Sequence, residues 1–347
     1  KAVYADPQDR VLYIRAYIYI STAPSGSMTV INQGSNAPFT QGEAELRLTS
    51  SRTLEVWQKD NGGIFRQKGS ASAVIPLSEW HMVELKLDGP GNSVAARLDG
   101  TQFVSDSTET VGSIGNSTYG TRFGTYTEYF TAGVIFLDDV AINDDTGSFQ
   151  NSWAGEGEVI HLRPSAAGDN TDFNRGGTDS GANWSQMEET PPNDATDFVI
   201  HPTTGKIDDY NVDNTPAALA SDDVVNVVAV GVRFAPQVAI YKNEIVVRCK
   251  ASSGGTVEES ANIVPNTAAW RSNAVAYPFI HPLILYDEPG ASTTAWTKAT
   301  LDTMQIGVKT ATTALALGTR ISAVWATVGH TPAMPATGRR RAVGQVV

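Results

Sequence analysis

The sequence holds one cysteine, Cys249, so no disulfide can close within the chain and no cysteine zinc cluster can be built. It has no apolar run of about 18 residues, which excludes a helix inserted across a membrane. It has no basic excess: 25 Lys and Arg stand against 37 Asp and Glu, a net charge of −12. That balance argues against a general nucleic-acid binder, which needs a basic face. The one clear basic run, Arg339-Arg340-Arg341, falls near the C-terminus. No leader-like segment is visible, but the chain starts at Lys1 without a methionine and strand-like sequence begins almost at once. The true N-terminus, and with it any targeting, is therefore left open. Sustained amphipathic helices are missing too; segments 215–221 and 297–304 hold a turn or two at most.

What is present is Gly, Ser, Thr and Asn, with charged residues at only 18%. This composition, with many Val and Thr, suits an all-β chain. A length of 347 residues is comfortable for two domains. Short alternating segments recur through residues 10–145, among them "RVLYIRAYIYI" (10–20), "AELRLTS" (44–50), "TLEVWQK" (53–59) and "GVIFLDDVAIND" (133–144). "VELKLDGPGNSVAARLDG" (83–100) reads as a hairpin, because Val83, Leu85 and Leu87 alternate with Glu84 and Lys86 before a Gly-Pro-Gly turn. Residues 146–195 are rich in Gly, Asn, Asp, Ser and Thr, with one strand-like stretch at 157–164. A second β-region runs from "DFVIHP" (197–202) to "RISAVWATVGH" (320–330). Its apolar run 224–232 predicts a strand buried on both faces. Within it Cys249 alternates with Val247 and Ile245 and reads as a small buried hydrophobe. The resulting division is 1–153 for one β-sandwich, 154–195 for a polar connector, 196–331 for a second β-sandwich and 332–347 for a tail.

Candidate chemistry is sparse. Glu43 and Glu45 form an E-x-E pair that would share one strand face, but Leu48 stands where the jelly-roll hydrolases carry a third acid. A solvated face is the expectation there. His81, His161, His201, His281 and His330 lie in no nucleophile or zinc motif. "DDYNVDN" (208–214) starts like a calcium loop, since Asp209, Asn211 and Asp213 alternate, but Asn214 and Ala220 replace the required glycine and glutamate. A polar loop is expected instead. Asp138 and Asp139 sit side by side in a strand, so alternation aims one carboxylate at the core. Its partner could be a structural calcium, an arginine such as Arg15, or the backbone of a loop. Glycan binding would use exposed aromatics, drawn from Trp57, Trp80, Trp153, Trp184, Trp270, Trp296, Trp325 and the loop "YGTRFGTYTEYF" (119–130).

"PLSEWHMVELKLDGPGNSVAARLDGTQF" (76–103) resembles the central hairpin of laminin-G or concanavalin-A-like jelly rolls, and "GVIFLDDVAIND" resembles their closing "iDDv" strand. "NWSQMEETPPNDATDFV" (183–199) and "AWTKATLDTMQIGVKT" (295–310) resemble segments of tailed-bacteriophage virion proteins that join such a module to a second β-domain. Those modules usually have a strand or two before the point where this chain begins, so either these residues are absent or another segment completes the sheet. The resemblance implies two jelly-roll β-sandwiches in tandem. It also implies a structural or adhesive component of a phage particle, in the tail or decorating the capsid. The partners would be other virion proteins, further copies of the chain in a homo-oligomer such as a trimer, and host surface glycans. No cofactor is required, and in related jelly rolls the acid matching Asp138 or Asp139 often serves a structural calcium. No paired-acid or triad site emerges, so no catalytic turnover is expected. The alternatives are a secreted or cell-surface carbohydrate-binding module and a polysaccharide-degrading enzyme.

Overall fold

A computed structural model describes residues 11–35, 41–60, 63–89, 93–107, 120–124, 132–146, 150–178, 180–189, 192–217, 219–237, 244–264, 271–272, 283–285, 295–312 and 318–333. The chain is all-β and forms two β-sandwiches of the jelly-roll kind. They correspond to two units, Lys1–Gly157 and Glu158–Val347.

The first unit contains β1 (Val11–Thr22), β2 (Met28–Ser35), β3 (Gln41–Leu48), β4 (Leu54–Lys59), β5 (Phe65–Lys68), β6 (Trp80–Asp88), β7 (Ser93–Leu98), β8 (Thr101–Asp106), β9 (Gly120–Phe123) and β10 (Val134–Asp144). One sheet has the order β10-β1-β6-β7-β8 and the other β5-β4-β3-β2-β9. Period-two alternation produces the sandwich. Leu12, Ile14, Ala16, Ile18 and Ile20 of β1 are buried, as are Val83, Leu85 and Leu87 of β6. All of these but Leu12 meet Leu46, Leu48, Leu54 and Val56 of the facing sheet in one core. Each such side chain contributes about 1.5–3 kcal/mol by leaving water. The expected hairpin is β6–β7, closing with Asp88 opposite Ser93. β7 then turns into β8 through Asp99 and Gly100, both at positive φ, as a tight two-residue hairpin requires.

The other face of β1 is not left to solvent. Segment 151–157 lies over it within this unit. Arg15 Nη1 donates to the Gly155 carbonyl at 2.9 Å, and the Gly155 amide donates to Glu84 Oε1 at 2.9 Å. Tyr17 donates its phenolic hydrogen to Glu156. Trp153 stacks under the Arg97 guanidinium, 4.0 Å from the ring centre, and meets Tyr13 edge-on at 5.5 Å.

The second unit contains β11 (Glu158–Leu162), β12 (Pro164–Thr171), β13 (Asn174–Gly177), β14 (Asp197–His201), β15 (Ile207–Val212), β16 (Val224–Pro236), β17 (Ile245–Lys250), β18 (Glu258–Glu259), β19 (Arg271–Ser272), β20 (Leu283–Leu285), β21 (Gln305–Thr310) and β22 (Thr319–Thr331). One sheet has the order β13-β14-β22-β16-β19, with β11 added to β22 and β20 to β16. The other runs β12-β15-β21-β17-β18. Val228, Val230 and Val232 of β16 pack with Val324, Ala326 and Val328 of β22 and with Val247, Cys249, Ile306 and Val308 of the opposite sheet. Cys249 is buried as expected, and burial pushes its thiol up to about 12.

Three expectations change. The polar stretch 154–195 is not a bare connector: it supplies β11, β12, β13 and a 3-10 turn at Trp184–Gln186, so the second sandwich starts at Glu158. Its alternation is hidden because β12 shifts register after Pro164 and again after Ala167. "DDYNVDN" is not a loop but mostly β15, paired to β12 and β21. Glu45 is not solvated: it is buried and accepts from Asn32 Nδ2 at 2.9 Å and Arg47 Nε at 2.5 Å. Of the two segments read as helical, Lys298–Asp302 is helical among the described residues, started by a capping box of Thr297 and Thr300.

Candidate functional site

β15 alternates within the second sandwich, so Asp208, Tyr210 and Val212 share its inner face. Tyr210 is fully buried, and its hydroxyl donates to Asp208 Oδ2 at 2.9 Å. Asp208 is also fully buried, and a buried carboxylate needs donors. It receives two more: the Phe173 amide at 3.2 Å on Oδ1 and Asn183 Nδ2 at 2.7 Å on Oδ2. Burial raises the Asp208 carboxyl to about 6, against the lowering effect of those donors, with Asp172 adding to the rise. Burial likewise drives the Tyr210 phenol well above its ordinary value, and the Asp208 charge adds to it.

Asn183 reaches Asp208 because it opens the 3-10 turn Trp184–Gln186. Successive i→i+3 bonds, from Ser185 to Ala182, Gln186 to Asn183 and Met187 to Trp184, hold that turn. Gln186 and Met187 are buried beneath it. Trp184 is half-buried, packed on the core by one side. Asn183 also donates to the Phe173 carbonyl at 2.8 Å. Both hydrogens of its amide therefore point at acceptors, and this fixes the flip: the reverse orientation would set oxygen against two oxygens. The amide oxygen is what Asn183 has left to offer.

These residues surround a cleft of about 290 Å³ lined by Ala167, Thr171, Phe173, Asn183, Trp184 and Tyr210. Its aromatic walls and few fixed polar groups match the general make-up of small-ligand sites, and its size is near their lower limit of about 300 Å³. The arrangement can hold one small ring against Trp184 and accept hydrogen bonds from it.

The outward face of the same strand carries a separate charge network. Asp209 lies 3.2 Å from Lys250 Nζ and 3.5 Å from Arg248 Nη1. Asp169 receives Lys250, Ser253 Oγ, the Gly254 amide and Gln305 Nε2, with Lys250 first in holding its carboxyl far below the carboxylate range. β12 folds over this face at Gly168, where any Cβ would press into the Asp209 backbone.

Asp138 and Asp139 belong to the first unit and the cleft residues to the second. They form a β-bulge in β10, where the register with β1 skips between Arg15 and Tyr17. Asp139 adopts φ +46°, which breaks the alternation assumed from sequence. Asp138 is exposed, and its Oδ1 accepts from the Asp139 amide at 2.8 Å. Asp139 is buried, and Arg15 donates from Nε and Nη2 to its main-chain oxygen at 3.1 and 3.0 Å. Arg15 is thus the partner at this spot, through a carbonyl rather than a carboxylate. Among the described residues no group of three or more His, Cys, Asp or Glu is placed to hold a metal ion.

The tryptophans divide clearly. Trp57 lies beneath Arg47, 4.5 Å from its ring, and Trp80 packs 5.5 Å from Tyr19. Trp153 belongs to the covering segment, Trp296 is core, and Trp325 lies against Gly231. Among the described tryptophans, half-buried Trp184 lines the cleft beside Asn183, while buried Trp296 lines a second cleft of about 230 Å³ with Lys250 and Thr300. The histidines make structural contacts: His81 with Asp99 at 2.7 Å, His161 with Thr327 at 3.2 Å, His201 with the Thr203 amide at 3.0 Å, and buried His330 near Asp223 at 3.3 Å. Trp270, His281, Arg339–Arg341 and most of the aromatic loop 119–130 lie outside the described residues. Sequence reasoning named Trp184 and Asp209 but missed Asp208, Asn183 and Tyr210. The available signal was the D-x-Y spacing of Asp208 and Tyr210, which puts both on one strand face.

The sequence matches no protein-family profile and no curated protein. Among solved structures it is similar to alginate lyase AlyC3, at 8% identity and a TM-score of 0.32 over 41% of this chain and 67% of that one. A mutant Trypanosoma rangeli sialidase displaying trans-sialidase activity is similar at 13% identity and a TM-score of 0.32, over 40% of this chain and 23% of the sialidase. The carbohydrate binding module CBM66 from Bacillus subtilis is similar at 12% identity and a TM-score of 0.28, over 38% and 74%. These are carbohydrate-active proteins. The expectation that the chain has no catalytic turnover is corrected accordingly and not retained: the similar structures include alginate lyases and a sialidase.

Proposed function

We propose that this chain is a carbohydrate-binding protein whose second sandwich holds one sugar residue in the cleft beside Trp184. The observation that supports it most is the pairing of a half-buried indole with an amide whose orientation is fixed by Asp208 and Phe173. A pyranose has apolar C–H faces that pack on an aromatic ring and hydroxyls that donate to a preset acceptor. The setting we propose is a bacteriophage particle, where the chain would join copies of itself and other virion proteins and engage host surface glycans. That setting rests on the sequence resemblance of residues 76–103, 133–144, 183–199 and 295–310.

The test is binding of the purified chain to an immobilised panel of bacterial polysaccharides, alongside a Trp184→Ala variant. The same wells are read for released reducing ends, so that binding and cleavage are scored together. Retention on at least one glycan that falls at least tenfold in the variant supports the proposal. Retention on none, or retention indifferent to Trp184, ends it. Mass spectrometry of purified phage particles tests the setting independently.

A further inference from the structure

We infer that the sugar held beside Trp184 is a neutral or amino sugar, and that the cleft refuses uronic and sialic acids. This rests on the carbohydrate-binding assignment of the cleft and adds the class of ligand.

The inference comes from counting donors and acceptors. Both amide hydrogens of Asn183 are spent on Phe173 O and Asp208 Oδ2. The Tyr210 hydroxyl hydrogen is spent on Asp208 Oδ2 as well. What these two side chains can still offer is oxygen: a carbonyl from Asn183 and a phenolic lone pair from Tyr210. Among the lining side chains the remaining donors are two neutral groups, the Thr171 hydroxyl and the Trp184 indole N–H. A sugar hydroxyl or ammonium can donate to the Asn183 and Tyr210 oxygens. A carboxylate is acceptor-only: it gains nothing from those oxygens and meets no charged donor.

Charge acts in the same direction. None of the residues lining the cleft is basic. Behind Asn183 and Tyr210 stands the buried Asp208 carboxylate, and Asp172 lies close enough to act on it electrostatically. The cation at Asp172, Lys206, lies 3.8 Å from that carboxylate in an exposed pair and is not among the residues lining the cleft. An acidic sugar would bring a second negative charge against Asp208 into a partly enclosed site with no counter-charge. Such unpaired like-charge juxtaposition is how sites reject a ligand that otherwise fits.

The decisive experiment uses pairs of sugars that differ only at C6: methyl glucoside against methyl glucuronide, and methyl galactoside against methyl galacturonide. Glucosamine and N-acetylneuraminic acid are added. Each is titrated into the full chain and the Trp184→Ala variant at pH 7.5, followed by saturation-transfer NMR. The expected result is Trp184-dependent binding of at least one neutral sugar or of glucosamine, with each acid at least tenfold weaker than its neutral partner and N-acetylneuraminic acid at least tenfold weaker than the neutral sugar bound. In Asp208→Asn the gap between acid and neutral partner should narrow. Acid binding that equals or exceeds its neutral partner, and depends on Trp184, overturns the inference while leaving carbohydrate binding intact. If no sugar binds in a Trp184-dependent way, the assignment of the cleft itself falls. The wild-type pairs decide the matter even if Asp208→Asn does not fold.

Discussion

Arg15 binds the main-chain oxygen of Asp139 through two of its nitrogens, while its third reaches Gly155. One side chain therefore ties an edge-strand bulge to the segment that covers its sheet. Burial lowers the Arg15 guanidinium, partly offset by Tyr17, Glu84 and Glu156. Replacing Arg15 by Met should cost about 2–4 kcal/mol, because Glu84 and two carbonyls lose a charged partner. Urea denaturation should show it as a lower midpoint for the first unit. Arg15→Lys keeps the charge but loses the fork, and should recover less than half of the loss.

Asp208 gives a pH signature. Its folded carboxyl titrates at about 6, above its ordinary 3.8. The folded state therefore binds the proton more tightly than the unfolded state between these values. This group's contribution to stability is complete below the unfolded pKa and is lost as pH rises through 6. Asp208→Asn removes the effect. The stability difference between wild type and variant should be largest near pH 4 and shrink by up to about 3 kcal/mol by pH 7. A difference independent of pH would refute the assignment of that titration.

Gly307 lies in β21 opposite Asp209, where a Cβ would overlap the Asp208 carbonyl oxygen. Its strand neighbours leave nowhere for a methyl to go. Gly307→Ala should cost about 1–3 kcal/mol through overpacking. It should also weaken any Trp184-dependent binding, because β15 carries Asp208 and Tyr210. Thermal unfolding and the sugar titration measure the two effects.

Lys250 is buried between Asp169 and Asp209. Lys250→Met removes one charged partner from buried Asp209, leaving Arg248 3.5 Å away and the Asn170 amide, and should cost about 1.5–3 kcal/mol. Asp169 contributes in the opposite pH sense to Asp208. Its folded pKa is depressed, so its contribution is present above the unfolded carboxylate range and fades as pH falls through the folded value. Acid unfolding of Asp169→Asn should therefore converge with wild type at the lowest pH.

Strand segments with clean alternation were readable from sequence. β1, β4 and the β6–β7 hairpin each put a buried residue at every second position; in β17 every position is buried, Cys249 among them. Alternation failed where the backbone departs from a regular strand. The bulge at Asp139 and the register shifts in β12 break the period of two, so the former looked like a core-facing acid and the latter like a connector. Glu45 was misplaced for another reason: Arg47 neutralises it and Asn32 donates to it, and no local pattern announces a buried carboxylate. The cleft was hidden because Phe173, Asn183 and Asp208 are distant in sequence and meet only through hydrogen bonds to one carboxylate.

The order of strands in the second unit has a consequence for how the unit forms. β22, the last described strand, lies between β16 on one side and β14 and β11 on the other. β21 likewise lies between β15 and β17. Each sheet is thus joined through its middle by residues that leave the ribosome after its flanks. β11, β14 and β16 are made early and wait with open edges, so most of this sandwich must close at once and late. Its contacts are far apart along the chain, which places it among slow-folding topologies. A nascent chain stopped before Thr319 would hold every strand of the β12-β15-β21-β17-β18 sheet, with the other sheet split into β13-β14 and β16-β19 for want of β22.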